Sequence, residues 1–173
     1  MADRLTHAHE GDLAVFLIGM TINRPWRPDH WMPTFAAMPA MVRELYESKS
    51  SAERGEQDWL GFLGARTLIG SRGPTLVQYW RSAEDIYAYA GAEARAHRPA
   101  WLEFYRTARR HEGSVGVWHE TYSVRADGHE SVYYGTGPIG LGAVTGLVPV
   151  RRRGGTARER LGSRVRAEAS GTS

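Results

Sequence analysis

Between Trp59 and Trp80 the chain reads WLGFLGARTLIGSRGPTLVQYW, two strand-like runs joined by a Gly-Ser-Arg-Gly-Pro turn. This hairpin constrains the fold more than any other stretch, because a helical pattern flanks it on each side. Upstream, Phe35, Met38, Val42 and Leu45 recur at three- and four-residue steps within Met32 to Ser48, the spacing of one helical face. Pro33 suits a first turn, and Pro39 is expected to kink the helix or divide it. Downstream, Ser82 and Asp85 form an S-x-x-D capping signal for a helix over about Ala83 to Arg110. Ile86, Ala90, Ala94, His97, Trp101 and Tyr105 fall on one stripe of that helix, with Pro99 as a kink or break.

The outer elements read as strands. DLAVFLIGMTI, Asp12 to Ile22, is a short apolar run suited to a buried first strand, and the proline-bearing NRPWRPDHW after it reads as a loop. SVGVWHETYSV, Ser114 to Val124, has the Val, Trp, Thr and Tyr content of a last strand. Successive side chains in a strand point to opposite faces, so His119 shares a face with Val115, Val117 and Thr121, and Glu120 with Trp118, Tyr122 and Val124. The order β-α-β-β-α-β is the ferredoxin-like split motif, an α+β fold with helices on one face of an antiparallel sheet. The second face needs cover too, and with no further helix to supply it a homodimer is predicted.

The 173 residues suit one domain, read as 12–150 with an ordered extension from about 125, a loosely held N-terminus at 1–11 and an Arg-rich flexible tail at 151–173. There is no Cys, which excludes disulfides, thiolate metal sites and cysteine nucleophiles. The polar first twelve residues are unlike a secretory leader, and LAVFLIGM is too short to span a bilayer, so no membrane association and a cytoplasmic location are expected. The formal charge of +3 is unevenly spread. Residues 151–173 carry seven Arg against Glu159 and Glu168, while the first 150 residues hold 15 basic and 17 acidic side chains. Without interleaved aromatics the basic tail reads as solvated chain, and no nucleic acid partner is expected. P-loop, Rossmann, H-E-x-x-H and nucleophile-elbow patterns are all absent.

The element order, the W-x-S-x-E-D entry to the second helix (Trp80, Ser82, Glu84, Asp85), the helical His97 and the closing GVWHETY together resemble the dimeric α+β barrel superfamily. Within it the chain is similar to the monooxygenase-like group that includes the fumagillin-pathway polyketide oxygenase, and ESVYYGTGPIGLG looks like that group's C-terminal extension. The resemblance implies a monooxygenase-like oxidoreductase of secondary metabolism, acting on a small hydrophobic aromatic or polyketide-type substrate in a pocket between sheet and helices. It also implies alternatives: a haem-dependent enzyme, aldoxime dehydratase-like or a haem-dependent oxygenase, or a non-enzymatic haem- or ligand-binding dimer. Cofactor-free chemistry is the first expectation and haem the main alternative.

Several side chains could carry such chemistry. His119 could shuttle a proton if it faces the pocket, in which case Glu120 faces the opposite way; the alternation admits one of them and does not say which. Arg66 lies in GFLGARTLIG, where a buried guanidinium either pairs with Glu120 or binds a ligand oxyanion. Asn23 and Trp26, after the first strand, fall where a barrel's strand ends rim its pocket, and Trp101 and Tyr105 would supply aromatic walls. On the haem alternative His97, preceded by Ala96, is the axial ligand. His7 and His9 lie in the N-terminus expected to be loose, where incidental metal affinity is the expectation.

Overall fold

The computed structural model describes residues 4–91 and 113–161. In chain order the strands are β1 (Leu5–His7), β2 (Leu13–Ile22), β3 (Phe62–Gly70), β4 (Gly73–Trp80), β5 (Val115–Val124) and β6 (Leu147–Pro149). The helices are α1 (Pro28–Glu53), α2 (Ala83–Gly91) and the short α3 (Leu141–Thr145). The chain divides into two compact units, Val15–Tyr122 and Met1–Ala14 together with Ser123–Ser173.

A four-stranded sheet runs in the order β3-β4-β2-β5, with α1 connecting β2 to β3 and α2 following β4. Connectivity and strand order are those of the ferredoxin-like fold expected from the sequence. The hairpin is tighter than its five turn residues suggest, since Gly70 pairs with Gly73 and only Ser71 and Arg72 lie between them. Gly73 has φ +142°, and a Cβ there would sit 2.3 Å from the carbonyl oxygen of Met20, so both the conformation and the space require glycine. Ser82 caps α2 as its motif predicts: its Oγ accepts from the Asp85 amide at 3.2 Å, and Arg81 grips the Asp85 carboxylate through two bonds of 2.8 and 2.6 Å.

α1 departs from expectation. It starts at Pro28 rather than near Met32 and runs unbroken past both Pro33 and Pro39 for 26 residues. Pro28 occupies the first helical turn, where the missing N–H costs nothing, and Asp29 places a carboxylate beside the positive helix end. Pro39 removes one backbone bond, but contacts further along hold the helix. Leu45 is buried, Tyr46 Oη donates to the Ala65 carbonyl at 3.1 Å and accepts from the Ala65 amide at 2.9 Å, and Lys49 Nζ donates to the Leu63 carbonyl at 2.7 Å. With Trp59 Nε1 donating to the Phe62 carbonyl at 3.1 Å, these side chains occupy the free edge of β3 that would otherwise invite another strand.

On the side of the sheet that meets the helices, Trp80 is fully buried, with its ring 5.2 Å from Phe62 and 5.6 Å from Tyr89, and Phe62 meets Tyr46 edge-on at 5.2 Å. On the opposite side β5 approaches β2 closely. A Cβ on Gly19 would lie 2.3 Å from the Trp118 indole, so this glycine makes room for that ring.

In the other unit β1 pairs antiparallel with β6, and Leu5 also bridges Tyr133. The expectation of a loose N-terminus therefore does not hold for Leu5–His7. His7 is wholly buried: its Nδ1 lies 2.7 Å from Ser131 Oγ, its Nε2 lies 2.8 Å from His129 Nδ1, and the Arg153 guanidinium bonds to the same Nε2. Arg153 also donates to the His9 carbonyl at 2.8 Å, and His129 Nε2 donates to the Gly11 carbonyl at 2.9 Å. The tail expectation is likewise corrected for 151–161. Val150–Arg152 form a 3-10 turn, residues 157–161 are helical, and Arg160, 5% exposed, pairs with Glu130 at 2.9 Å. An Arg-rich composition reads as solvated chain unless carboxylates and carbonyls elsewhere satisfy it, and here Glu130, His7 and His9 do.

Gly19→Ala forces Trp118 out of place, an overpacking cost of about 1–3 kcal/mol; differential scanning should show a melting midpoint lower by several degrees and fluorescence an altered Trp118 emission, and an unchanged midpoint would contradict the contact. Burial, then the Arg153 charge, lowers the His7 pKa to about 3. Between pH 6.5 and about 3 the unfolded chain therefore binds a proton at His7 that the folded chain refuses, so stability is full above pH 6.5 and falls as the pH drops through that window. Urea midpoints should decline from pH 6.5 toward pH 4, and an NMR titration showing a His7 midpoint near 6.5 would refute the assignment.

Candidate active site

The register of the hairpin sorts side chains between the two faces of the sheet. Phe62 pairs with Trp80, Ala65 with Gln78, and Thr67 with Leu76, all on the side of the helices. Arg66 pairs with Val77 and Leu68 with Thr75, on the opposite side. In β2 the same alternation puts Phe16 and Ile18 toward the helices and Gly19 away from them.

A cavity of about 60 Å³ lies between sheet and helices, walled by Phe16, Ile18, Val42, Leu45, Leu76, Gln78, Trp80, Ile86 and Tyr89 among others. His119 stands beside it: its ring centroid is 5.7 Å from that of Phe16, at an interplanar angle of 39°. Of the two adjacent ionisable residues in β5, His119 thus takes the helix side. It remains solvent-exposed because β5 is an edge strand. Glu120 shares the opposite side with Trp118 and Tyr122, and its partner is local, Tyr122 Oη donating to Glu120 Oε2 at 2.8 Å. That bond to the carboxylate raises the Tyr122 pKa, since it favours the protonated phenol.

Arg66 is not where the sequence reading puts it. It is exposed, it faces away from the helices, and β3 and β5 are opposite edges of the sheet with two strands between them. Strand spacing of about 4.8 Å keeps Arg66 well beyond ion-pair reach of Glu120 within one chain. Asn23 and Trp26 do follow a strand end. The Asn23 side-chain oxygen, however, accepts from Arg72 of the hairpin turn, and Trp26 is 71% exposed. His97, Trp101 and Tyr105 lie outside the described residues.

Two polar groups escaped the sequence reading. Gln78 is 5% exposed, lines the cavity, and accepts the Trp80 indole N–H on Oε1 at 2.9 Å. His30 is 3% exposed, with its Nδ1 2.8 Å from Ser114 Oγ and its Nε2 3.2 Å from Asp29 Oδ2. Alternation within LVQYW marks Gln78 as inward-facing with Leu76 and Trp80, a signal available before the structure. His30 carried no such signal, because its stretch reads as a loop.

The described part of the cavity between sheet and helices has a volume of about 60 Å³ and an apolar lining, while His97, the axial ligand on the haem alternative, falls outside the described residues, so both cofactor expectations stand. No cluster of three or more His, Cys, Asp or Glu poised for a metal ion occurs among the described residues, and none of their helices is long and apolar enough to cross a membrane.

Comparison with known proteins agrees with this architecture. A family model described as monooxygenase af470-like matches residues 13–141. Monooxygenase af470 of Aspergillus fumigatus is 28% identical over 174 residues, an alignment that takes in 96% of this chain and 58% of that protein, so the chain spans less than two thirds of its curated relative. Among solved structures, an aldoxime dehydratase is similar with a TM-score of 0.58 at 15% identity, covering 81% of this chain and 40% of that one. A second aldoxime dehydratase, in complex with butyraldoxime, has a TM-score of 0.56 at 12% identity, covering 79% of this chain and 38% of its own. At these identities the two structures show a shared α+β fold alone. With three quarters of its length matched by the family model, the chain belongs to the monooxygenase af470-like family.

Proposed function

We propose that the protein is a small-molecule monooxygenase, of secondary metabolism, that oxidises a hydrophobic aromatic or polyketide-type substrate without a cofactor. The observation that carries this reading is the place of His119, an exposed imidazole on the helix side of β5 with its ring against Phe16 of the apolar cavity wall. Family membership supports the reaction class. A substrate carbon presented at this edge meets an imidazole nitrogen placed to accept its proton while its rings rest on aromatic and aliphatic walls. For an activated CH₂ the balance closes without a further reductant. His119 removes a proton, the carbanion passes its electrons to O₂, one oxygen atom is retained as a carbonyl, and the other leaves as water with both hydrogens.

The opposite side of the sheet is assigned to a homodimer, because Leu68, Trp118 and Tyr122 present large apolar side chains there that are 36–50% exposed in the single chain. Sedimentation should give a dimer at micromolar concentration, and a monomer there would count against this use of the surface.

Oxygen uptake on phenolic and polyketide substrates tests the chemistry. Activity should survive chelators, and His119→Ala should lower kcat by about 10²-fold with little change in melting temperature, since the side chain is exposed. Strict dependence on an added metal, or full activity in His119→Ala, would overturn the proposal.

A further inference from the structure

Another, larger concavity opens between α1 and the β3–β4 hairpin, with a volume of about 450 Å³. That volume lies within the range of small-molecule sites. Its walls are apolar, formed mainly by Phe35, Met38 and Val42 of α1 and by Ile69 and Leu76 of the hairpin. Phe35 is 40% exposed and Ile69 77%, so two large apolar side chains on different elements face each other across open space. The one charged residue of the lining is Arg43, which is exposed and has no carboxylate within ion-pair distance among the described residues. Thr67 adds a hydroxyl from β3. Other cations nearby are engaged: Lys49 is bonded to the Leu63 carbonyl and Arg72 to Asn23.

We propose that this groove binds an amphipathic organic anion, its negative group on Arg43 and its apolar body across Phe35, Met38 and Ile69. An unpaired guanidinium at the rim of an apolar concavity complements a carboxylate, sulfonate, phenolate or enolate attached to a ring system, and the charge-assisted bonds it offers are the strong kind. The groove also has a place in the chemistry. Val42 and Leu76 line both it and the inner cavity, so these two side chains are the shared wall between an outer antechamber and the interior beside Phe16 and His119. An anion held on Arg43 directs its apolar end toward that wall. The substrate is then an acidic aromatic or polyketide compound, a conclusion that rests on the monooxygenase reading, whereas binding in the groove does not.

The test uses two fluorescent probes that share one aromatic frame: anionic 1-anilinonaphthalene-8-sulfonate and uncharged N-phenyl-1-naphthylamine, titrated into the full chain. The sulfonate should bind saturably at one site per chain, more weakly as ionic strength rises. Arg43→Gln should weaken it about tenfold, the effect of losing one charge-assisted contact, while the neutral probe changes less than twofold and Arg43→Lys restores part of the loss. Thr67→Trp, which fills the groove from an exposed strand position, should abolish both. Absence of saturable binding, equal affinity for the sulfonate in Arg43→Gln, or retention of both probes in Thr67→Trp would each overturn the site. Because no turnover is measured, these outcomes are separate from those of the His119 oxygen-uptake assay. If the groove binds and His119→Ala still turns over, the function falls; if the reverse, the groove does.

Discussion

Everything in the sheet-forming unit follows from one asymmetry: two helices cover one side of a four-stranded sheet, and strand geometry alternates side chains strictly between the covered side and the other. Trp80, Leu76 and Phe62 are buried because they fall on the covered side, and Gln78 is carried in among them by the same period of two. The rule separates His119 from Glu120 although they are neighbours in sequence. It also makes Arg66 a surface residue although its sequence neighbours are apolar. A one-residue slip of β5 would exchange the two ionisable groups, which is why the close fit of Trp118 over Gly19 matters to the chemistry as well as to stability.

Much of this was legible in the residues. Hairpin, capping motif, first and last strands and their order were readable because each rests on a local rule, and together they suffice for the fold. The faces of β5 were readable as sets, but not which set met the helices, because both carry apolar and aromatic side chains in similar numbers. The surface position of Arg66 is hidden for a related reason. A guanidinium among Phe, Leu and Ile looks buried until the strand is known to be an edge, and edge position is a property of sheet order rather than of the strand itself. α1 begins about a turn before its apolar spacing does, because Pro28 of NRPWRPDHW, though proline usually breaks a helix, is in the first turn, where proline is favoured.

The N-terminus and the extension illustrate a different limit. His7, His129 and Arg153 are more than 120 residues apart in sequence at their widest, and no local pattern announces that they meet. Their meeting sets the protonation of His7 in turn, since a buried imidazole beside a guanidinium is held neutral first by desolvation and then by charge. Composition alone predicts the opposite for both segments, a loose start and a solvated Arg-rich end, because it cannot count acceptors supplied from far along the chain.

Charge also bears on how an acidic substrate would find its site. The first 150 residues carry a slight excess of acidic side chains, so the domain as a whole does not attract anions. At physiological ionic strength charges beyond about 8 Å are largely screened, and capture depends on the local arrangement rather than on the net sum. Arg43 meets that requirement in a way Arg66 does not. Both are exposed arginines, but Arg43 projects from the helix that shares Val42 with the inner cavity, whereas Arg66 projects from the side of the sheet turned away from it. Of two cations of the same type, only Arg43 borders a groove that shares a wall with the inner cavity, and the difference comes from which side of one sheet each occupies.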